Sequence, residues 1–275
     1  MKAGIAYSDV VTTVSPTYAK EILLPEFGCG LEGFLQVHSS KLHGILNGID
    51  MVLFDPLIDP ALPKNYGSGK PANKKSNKIL FCEAYGLKDI HKPLIVFIGR
   101  FTEQKGLDII IKALPKLLIM ECNLAILGEG DEAMAEALNE AASHYENLLI
   151  QLGYDESLSH RMYAAADFLL MPSRFEPCGL NQLISLRYGT IPIVNDVGGL
   201  HDSVRDIDDT DSPVCGQGMI LGKLSCNAIV KSVRRSLQLF TLTKHFLKIS
   251  KANMQCDVSF EESAKSYLKL YRKIV

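Results

Sequence analysis

Two short stretches gather the residue types that could do chemistry. In SRFEPCGLNQLISLRYGTIPIV, Ser173 to Val194, Glu176 stands three residues ahead of Gly179, and a helix is predicted from about Leu180 to Tyr188. The first turn of a helix offers free N–H groups and a partial positive charge, so an acid and a phosphate-sized cradle lie within a few residues of each other. In GRFTEQKG, Gly99 to Gly106, Arg100 and Lys105 stand five residues apart between a strand and a helix. Two cations converging there could clamp a diphosphate and neutralise charge on a departing nucleotide; the plainer alternative is a solvated surface pair. Glu176 could serve as base, nucleophile or acceptor for a sugar hydroxyl. No second carboxylate has a glycosidase-like placement, so the acceptor role suits it best. Cys178 lacks a visibly arranged His or Asn to activate its thiol.

These residues need a frame that holds loops at strand ends. PLIVFIGR, NLAILGEG, LLIQLGY, DFLLMPS and IPIVND are short apolar strands that alternate with the amphipathic segments GLDIIIKALPKLL, DEAMAEALNEAASHY, ESLSHRMYAAA and LNQLISLRYG. Such alternation predicts an α/β fold, a Rossmann-like parallel sheet with helices on both faces and right-handed crossovers. Ligands of these folds bind at the carboxyl ends of the strands. Gly99-Arg100, Gly128-Glu129-Gly130, Gly153-Tyr154, Arg174 to Gly179 and Gly198-Gly199 all fall there. SCNAIVKSVRRSLQLF and the closing SFEESAKSYLKLYRKIV read as helices.

The first third is less regular. YSDVVTTVS, Tyr7 to Ser15, predicts a strand ended by Pro16, with a helix YAKEILLPEF after it. LHGIL predicts another strand, ending at an Asn-Gly turn. Asn47 at that strand end either supports the turn or faces a ligand. Residues 55–78 carry four prolines, two glycines and a basic run, and read as a linker whose lysines form a solvated face. A helix Ser76 to Leu87 should follow, with Ser76 as N-cap and Gly86 at its end. DIDDTD, Asp206 to Asp211, contains an aspartate-x-aspartate pattern, but in a polar loop away from any clear strand end, where a cation site is the weaker reading. His160 and His201 read as surface or hydrogen-bonded residues.

With 275 residues, 47% hydrophobic and 22% charged, the chain can bury a large core. A net charge of -2 and a pI near 6.4 give no reason to expect nucleic acid or an anionic membrane as partner. Seven cysteines without a CxxC pair predict reduced thiols in a cytosolic protein, and seven histidines without an i, i+4 pair give no support for a metal. The chain has no apolar run of signal-peptide or membrane-spanning length, so a soluble protein is expected.

KAGIAYSDVVTTVSPTYAKEI, EFGCGLEGFL, GILNGID, GRFTEQKGLDII, SRFEPCGLNQLISLRYGTIPIV and GGLHDSV, in this order and spacing, resemble bacterial glycogen synthase and plant starch synthase. The resemblance runs through most of residues 2 to 206 and returns in FEESAKSYLKLY. It implies a retaining glycosyltransferase of the GT-B fold that uses no metal or cofactor. Such an enzyme transfers glucose from ADP-glucose, or UDP-glucose in some members, to the non-reducing end of an α-1,4-glucan. By this resemblance Arg100 and Lys105 contact the diphosphate, Glu176 binds the donor glucose, and Cys178, Gly179 and Leu180 form a backbone cradle. Asn181 stands where a threonine is common, Asn47 lies near the donor sugar and Tyr154 near the adenine. Ile184 replaces the second glutamate of many related transferases, and GQGM near Gly216 departs from the family's usual sequence.

The resemblance also implies domains: 1–54 as the remnant of an N-terminal, acceptor-side domain, 55–78 as linker, 79–255 as the nucleotide-sugar-binding domain, and 256–275 as a helix packing back toward the first. The family's lysine-x-glycine-glycine loop is not in this sequence, which is expected to be a fragment, half of a split enzyme with a separately encoded N-terminal half, or the product of a decayed gene. The rival readings are a non-catalytic nucleotide- or glucan-binding remnant and, further off, a GT-B sugar-nucleotide epimerase. The expected setting is cytoplasmic, or the plastid stroma for a plant protein.

Overall fold

The structure is a computed structural model that describes residues 1–70 and 72–274. In chain order its elements are α1 (Lys2–Tyr7), β1 (Val11–Thr13), α2 (Pro16–Glu21), α3 (Glu32–Val37), β2 (Leu42–Gly44), α4 (Ala72–Ala84), β3 (Leu94–Ile98), α5 (Leu107–Leu117), β4 (Asn123–Gly128), α6 (Glu132–His144) and β5 (Leu148–Leu152). There follow α7 (Glu156–Ala165), β6 (Phe168–Met171), α8 (Asn181–Arg187), β7 (Ile191–Val194), α9 (Gly198–Ser203), β8 (Val204–Asp206), β9 (Gly216–Ile220), α10 (Cys226–Thr241), α11 (Thr243–Met254) and α12 (Phe260–Tyr271).

All five expected strands are present in a seven-stranded sheet of order β5-β4-β3-β6-β7-β9-β8, and every pairing is parallel. A parallel sheet covered on both faces needs apolar residues at successive positions, and here alternate residues enter different layers. Ile95, Phe97, Phe168 and Leu170 pack with α5 and α10. Leu94, Val96, Leu169 and Met171 pack with α4, α7 and α8 on the other side. Chain direction across the sheet reverses between β3 and β6, which opens a crevice at their carboxyl ends. The loops carrying Arg100 and Glu176 leave β3 and β6 at that switch point.

Residues 1–50 form a smaller unit around the two-stranded parallel sheet β1-β2. The strand expected over Tyr7 to Ser15 is reduced to Val11–Thr13, and α1 occupies Lys2–Tyr7 instead. With one partner strand, longer pairing has nothing further to bond. α2 stops at Glu21, short of the expected ten residues, and the chain tightens into turns ahead of Pro25. Ser15 caps α2 through Tyr18 N–H (2.9 Å) and donates its own hydroxyl to Asp202 (2.5 Å). Thr17 adds two donors to the same carboxylate, from its N–H (2.9 Å) and its hydroxyl (2.7 Å). The segment after α11 returns to this unit: Ile49 N–H donates to Val258 O (2.8 Å), and Ser263 donates to Leu46 O.

The reading of 55–78 as a solvated linker is corrected. α4 begins at Ala72, so Ser76 lies inside the helix and bonds back to Ala72 O rather than capping it; Gly86, left-handed at φ 69°, does end the element. Lys75 is exposed as expected, but Lys74 and Lys78 face inward because their charges find partners far away in sequence. Lys78 is paired with Asp167 at 2.6 Å with both side chains buried, and Lys74 donates to Tyr163 O, Ala164 O and Thr190. Tyr66 is buried and donates to Tyr188 O (2.8 Å).

Two further expectations concern loops. Asp206 and Asp208 both engage Arg235, which accounts for the acidic pattern without a cation. The expectation of uniformly reduced thiols is overturned by a Cys215–Cys256 disulfide, Cα atoms 5.8 Å apart, tying the loop before β9 to the segment after α11. A sequence separation of 41 hides it from any spacing rule.

Candidate functional site

At the switch point the loops after β3 and β6 are stitched together. Arg174 N–H donates to Gln104 O (2.8 Å), and the Arg174 guanidinium forks onto both oxygens of Asp108 (2.6 and 2.8 Å). That hydrogen-bonded guanidinium holds the Asp108 carboxyl below the usual carboxylate range. Gln104 also donates to Phe175 O (3.4 Å) and accepts from Arg100 Nη2 (3.1 Å), so it orients the first of the two cations. Gly106 must be glycine, since its φ is 73° and a Cβ there would lie 2.1 Å from Pro172 O.

The second cation meets the carboxylate directly. Lys105 Nζ is 2.5 Å from Glu176 Oε2, and Ser173 donates to the same oxygen at 3.0 Å. Glu176 is buried, with 7% of its side chain exposed. Both contacts fall on Oε2. Among the described residues no side chain donates to Oε1, which is left as an acceptor for a ligand hydroxyl. The loop is backed by β7 and the turn beyond it: Asn195 donates to Ser173 O (2.8 Å) and Gly199 N–H to Glu176 O (2.9 Å). A Cβ on Gly199 would sit 2.0 Å from Cys178 O, which explains the Gly198-Gly199 pair as a demand for close backbone approach.

The remaining expected residues divide between two cavities. Arg100, Tyr154 and Asn181 line one of about 310 Å³ at the ends of β3, β4 and β5, with Gly99, Gly128 and Gly153 at its rim. Tyr154 is 79% exposed and free to cover a ligand. The Asn181 amide donates to Ile98 O (2.6 Å), so that side chain is committed to holding α8 against β3. Leu180 is exposed beside it and Gly179 turns the chain at φ 70°. Asn47 lies apart. It lines the second cavity, of about 360 Å³, with Cys215, Cys256 and Ser259. Burial raises the Cys178 thiol, and the Asn47 backbone offsets part of that rise. Sequence reasoning passed over Ser173, Gln104, Asp108 and Asn195; only the placement of Ser173 and Gln104 inside the two flagged stretches could have pointed to them.

Among the described residues no group of three or more His, Cys, Asp or Glu could hold a metal ion, and no helix is long and apolar enough to cross a membrane. Comparison with known proteins agrees with the geometry. The model described as glycosyl transferases group 1 matches residues 85–239, and that of the starch synthase catalytic domain matches 1–37. A glycogen synthase of Alkalilimnicola ehrlichii is 46% identical, covering 99% of this chain and 57% of that protein. Glycogen synthase 2 of Nitrosococcus oceani is 43% identical, covering 100% and 57%. The catalytic domain of starch synthase IV from Arabidopsis thaliana, bound to ADP and acarbose, superposes with a TM-score of 0.92 at 35% identity, covering 99% of this chain and 57% of that one. This chain thus spans under three fifths of the length of these relatives. With the first family model covering more than half of its residues, the chain belongs to the glycosyl transferases group 1 family, in the GT-B fold, with glycogen and starch synthases among its relatives.

Proposed function

We propose that this chain carries the donor site of a retaining glucosyltransferase that moves glucose from ADP-glucose to the non-reducing end of an α-1,4-glucan. The observation that carries this reading is the Lys105–Glu176–Ser173 cluster at the sheet's switch point, with Glu176 Oε1 left as an acceptor. In this reading Arg100 and Lys105 meet the diphosphate and offset the charge that grows on the leaving nucleotide, a contact made stronger by partial burial. Glu176 accepts from the glucose hydroxyls. The backbone of Cys178, Gly179 and Leu180 cradles sugar and phosphate, Tyr154 covers the base, and Asn181 supports the cradle through Ile98 O. Asn47, on the Cys178 side, approaches the sugar from the smaller unit. The acceptor hydroxyl attacks from the face on which the nucleotide leaves; the bond to the diphosphate oxygen breaks as the new glycosidic bond forms, and the hydroxyl proton passes to the departing diphosphate.

No cofactor or metal is part of this proposal, and the nucleotide sugar is a substrate. A glucan acceptor and a cytoplasmic or stromal setting belong to the same reading; the names of the glycogen and starch synthase relatives support the glucan acceptor. Titration of ADP into the purified chain tests it. Lys105→Ala should weaken ADP binding by about 2–4 kcal/mol, since it removes a charge-assisted contact to phosphate. Unchanged binding in that variant would remove the diphosphate role.

A further inference from the structure

Two six-residue helices meet where the smaller unit rests on the sheet: α2 from that unit and α9 from the turn beyond β7. At about 1.5 Å per residue each is about 9 Å long, so side chains at the two ends of one can reach both ends of the other. They run in opposite senses. Ser15 and Thr17, at the start of α2, hold Asp202 near the end of α9. Glu21, the last residue of α2, reaches the start of α9, where its Oε1 accepts from Gly198 N–H (2.9 Å).

Gly198 and Gly199 are where α9 touches the donor loop. Gly199 N–H donates to Glu176 O (2.9 Å). A Cβ placed on Gly198 would lie 2.0 Å from the same carbonyl oxygen and 3.4 Å from Glu21 Oε2, so the Glu21 carboxylate and the Glu176 backbone flank one Cα. The site is a costly one for an acid. Glu21 is half-buried, and its Oε2 is buried with no hydrogen-bond partner among the described residues. Burial raises its carboxyl above the ordinary carboxylate range, the Gly198 N–H offsets part of that rise, and Asp202 adds to it. A half-satisfied carboxylate contributes little to stability, since an apolar side chain would cover the same contact without the desolvation penalty. What it does supply is a fixed acceptor for one backbone N–H.

We infer that Glu21 is a positioning residue of the donor site: by holding Gly198 N–H it sets the turn from which Gly199 holds Glu176, and so ties the placement of that carboxylate to the smaller unit. This rests on the donor-site reading above. Glu21 acts through Gly198 and Gly199 and needs no contact with the ligand. Arg100 and Lys105 meet the diphosphate from the other loop, so loss of the Glu21 contact should be felt at the glucose and far less at the nucleotide.

Titration of the full chain with ADP-glucose and with ADP, with melting curves alongside, tests this in wild type and three variants. Wild type should prefer ADP-glucose. Glu21→Ala should reduce that preference about tenfold, the scale of one hydrogen bond to a charged acceptor, while ADP affinity stays within about twofold. Glu21→Gln keeps an acceptor oxygen at the same reach and should restore most of the preference, whereas Glu21→Asp keeps the charge but ends one methylene short and should lose it. Should Glu21→Ala fail to fold, Glu21→Asp and Glu21→Gln carry the comparison, since both leave a polar side chain in the half-buried place. A lowered melting temperature with the preference intact in Glu21→Asp would mean a packing role alone and would overturn the assignment. So would a preference kept in Glu21→Asp and lost in Glu21→Gln, which would make charge rather than reach the cause. A wild type with no preference for ADP-glucose would remove the donor-site reading itself, and the positioning role with it.

Discussion

Glu176 shows how a single residue's surroundings set its use. Lys105 and Ser173 hold one oxygen, and a carboxylate fixed on one side can present the other without rotating away. Its loop is pinned by the Arg174–Asp108 fork, which gives a pH-dependent prediction. Asp108 has a carboxyl held below its ordinary value, so its contribution to stability is fully present above an unfolded carboxylate value of about 3.9 and is lost as pH falls through the lower folded value. Melting curves of wild type and Asp108→Asn should therefore differ at pH 6 and converge toward pH 3. A gap that stays constant across that range would mean that the fork contributes no proton linkage. Of this site, Arg100, Lys105 and Glu176 were legible in the sequence because charges flanked by glycines at strand ends have few structural uses. Gln104 and Asn195 were not, since an amide is equally at home on any surface; His160, read as a surface or hydrogen-bonded residue, does bond Asp59, though that partner lies 101 positions away.

At the scale of elements, the sheet was legible, and of α4 only the start and the burial of two lysines were not. Continuous apolar runs such as FLLM have one stable place, buried on both faces of a parallel sheet. A run of lysines is ambiguous until its partners are known, and Asp167 lies 89 residues from Lys78. Removing one member of a buried ion pair leaves the other charged and dry, so Lys78→Ala should cost about 3–5 kcal/mol in urea unfolding. A loss below about 1 kcal/mol would mean that Asp167 takes up another donor or a proton. The turn after β7 is a second case. Gly199→Ala would drive a Cβ into Cys178 O, and the EPCGL loop would have to retreat. ADP affinity should fall more than thermal stability does, and the reverse order would place the glycine's role in folding alone.

Over the whole molecule, residues 1–50 ride on the parallel sheet through Asp202 and the return of the segment after α11. The Cys215–Cys256 bond secures the start of that return. Closing a loop of 41 residues stabilises a fold by about 2–4 kcal/mol, so Cys215→Ser, or a reductant, should lower the melting temperature and raise amide exchange over 255–260 first. Uniform loosening instead would show that the bond does not act locally. The organisation of this chain around Glu176 predicts that the glucose moiety is recognised, and calorimetric titration of ADP-glucose and ADP against wild type and Glu176→Gln measures that most directly. Wild type should bind ADP-glucose more tightly than ADP, and Glu176→Gln should erase the difference while keeping ADP affinity. A glucose preference that persists in Glu176→Gln, or that is absent from wild type, would contradict the account.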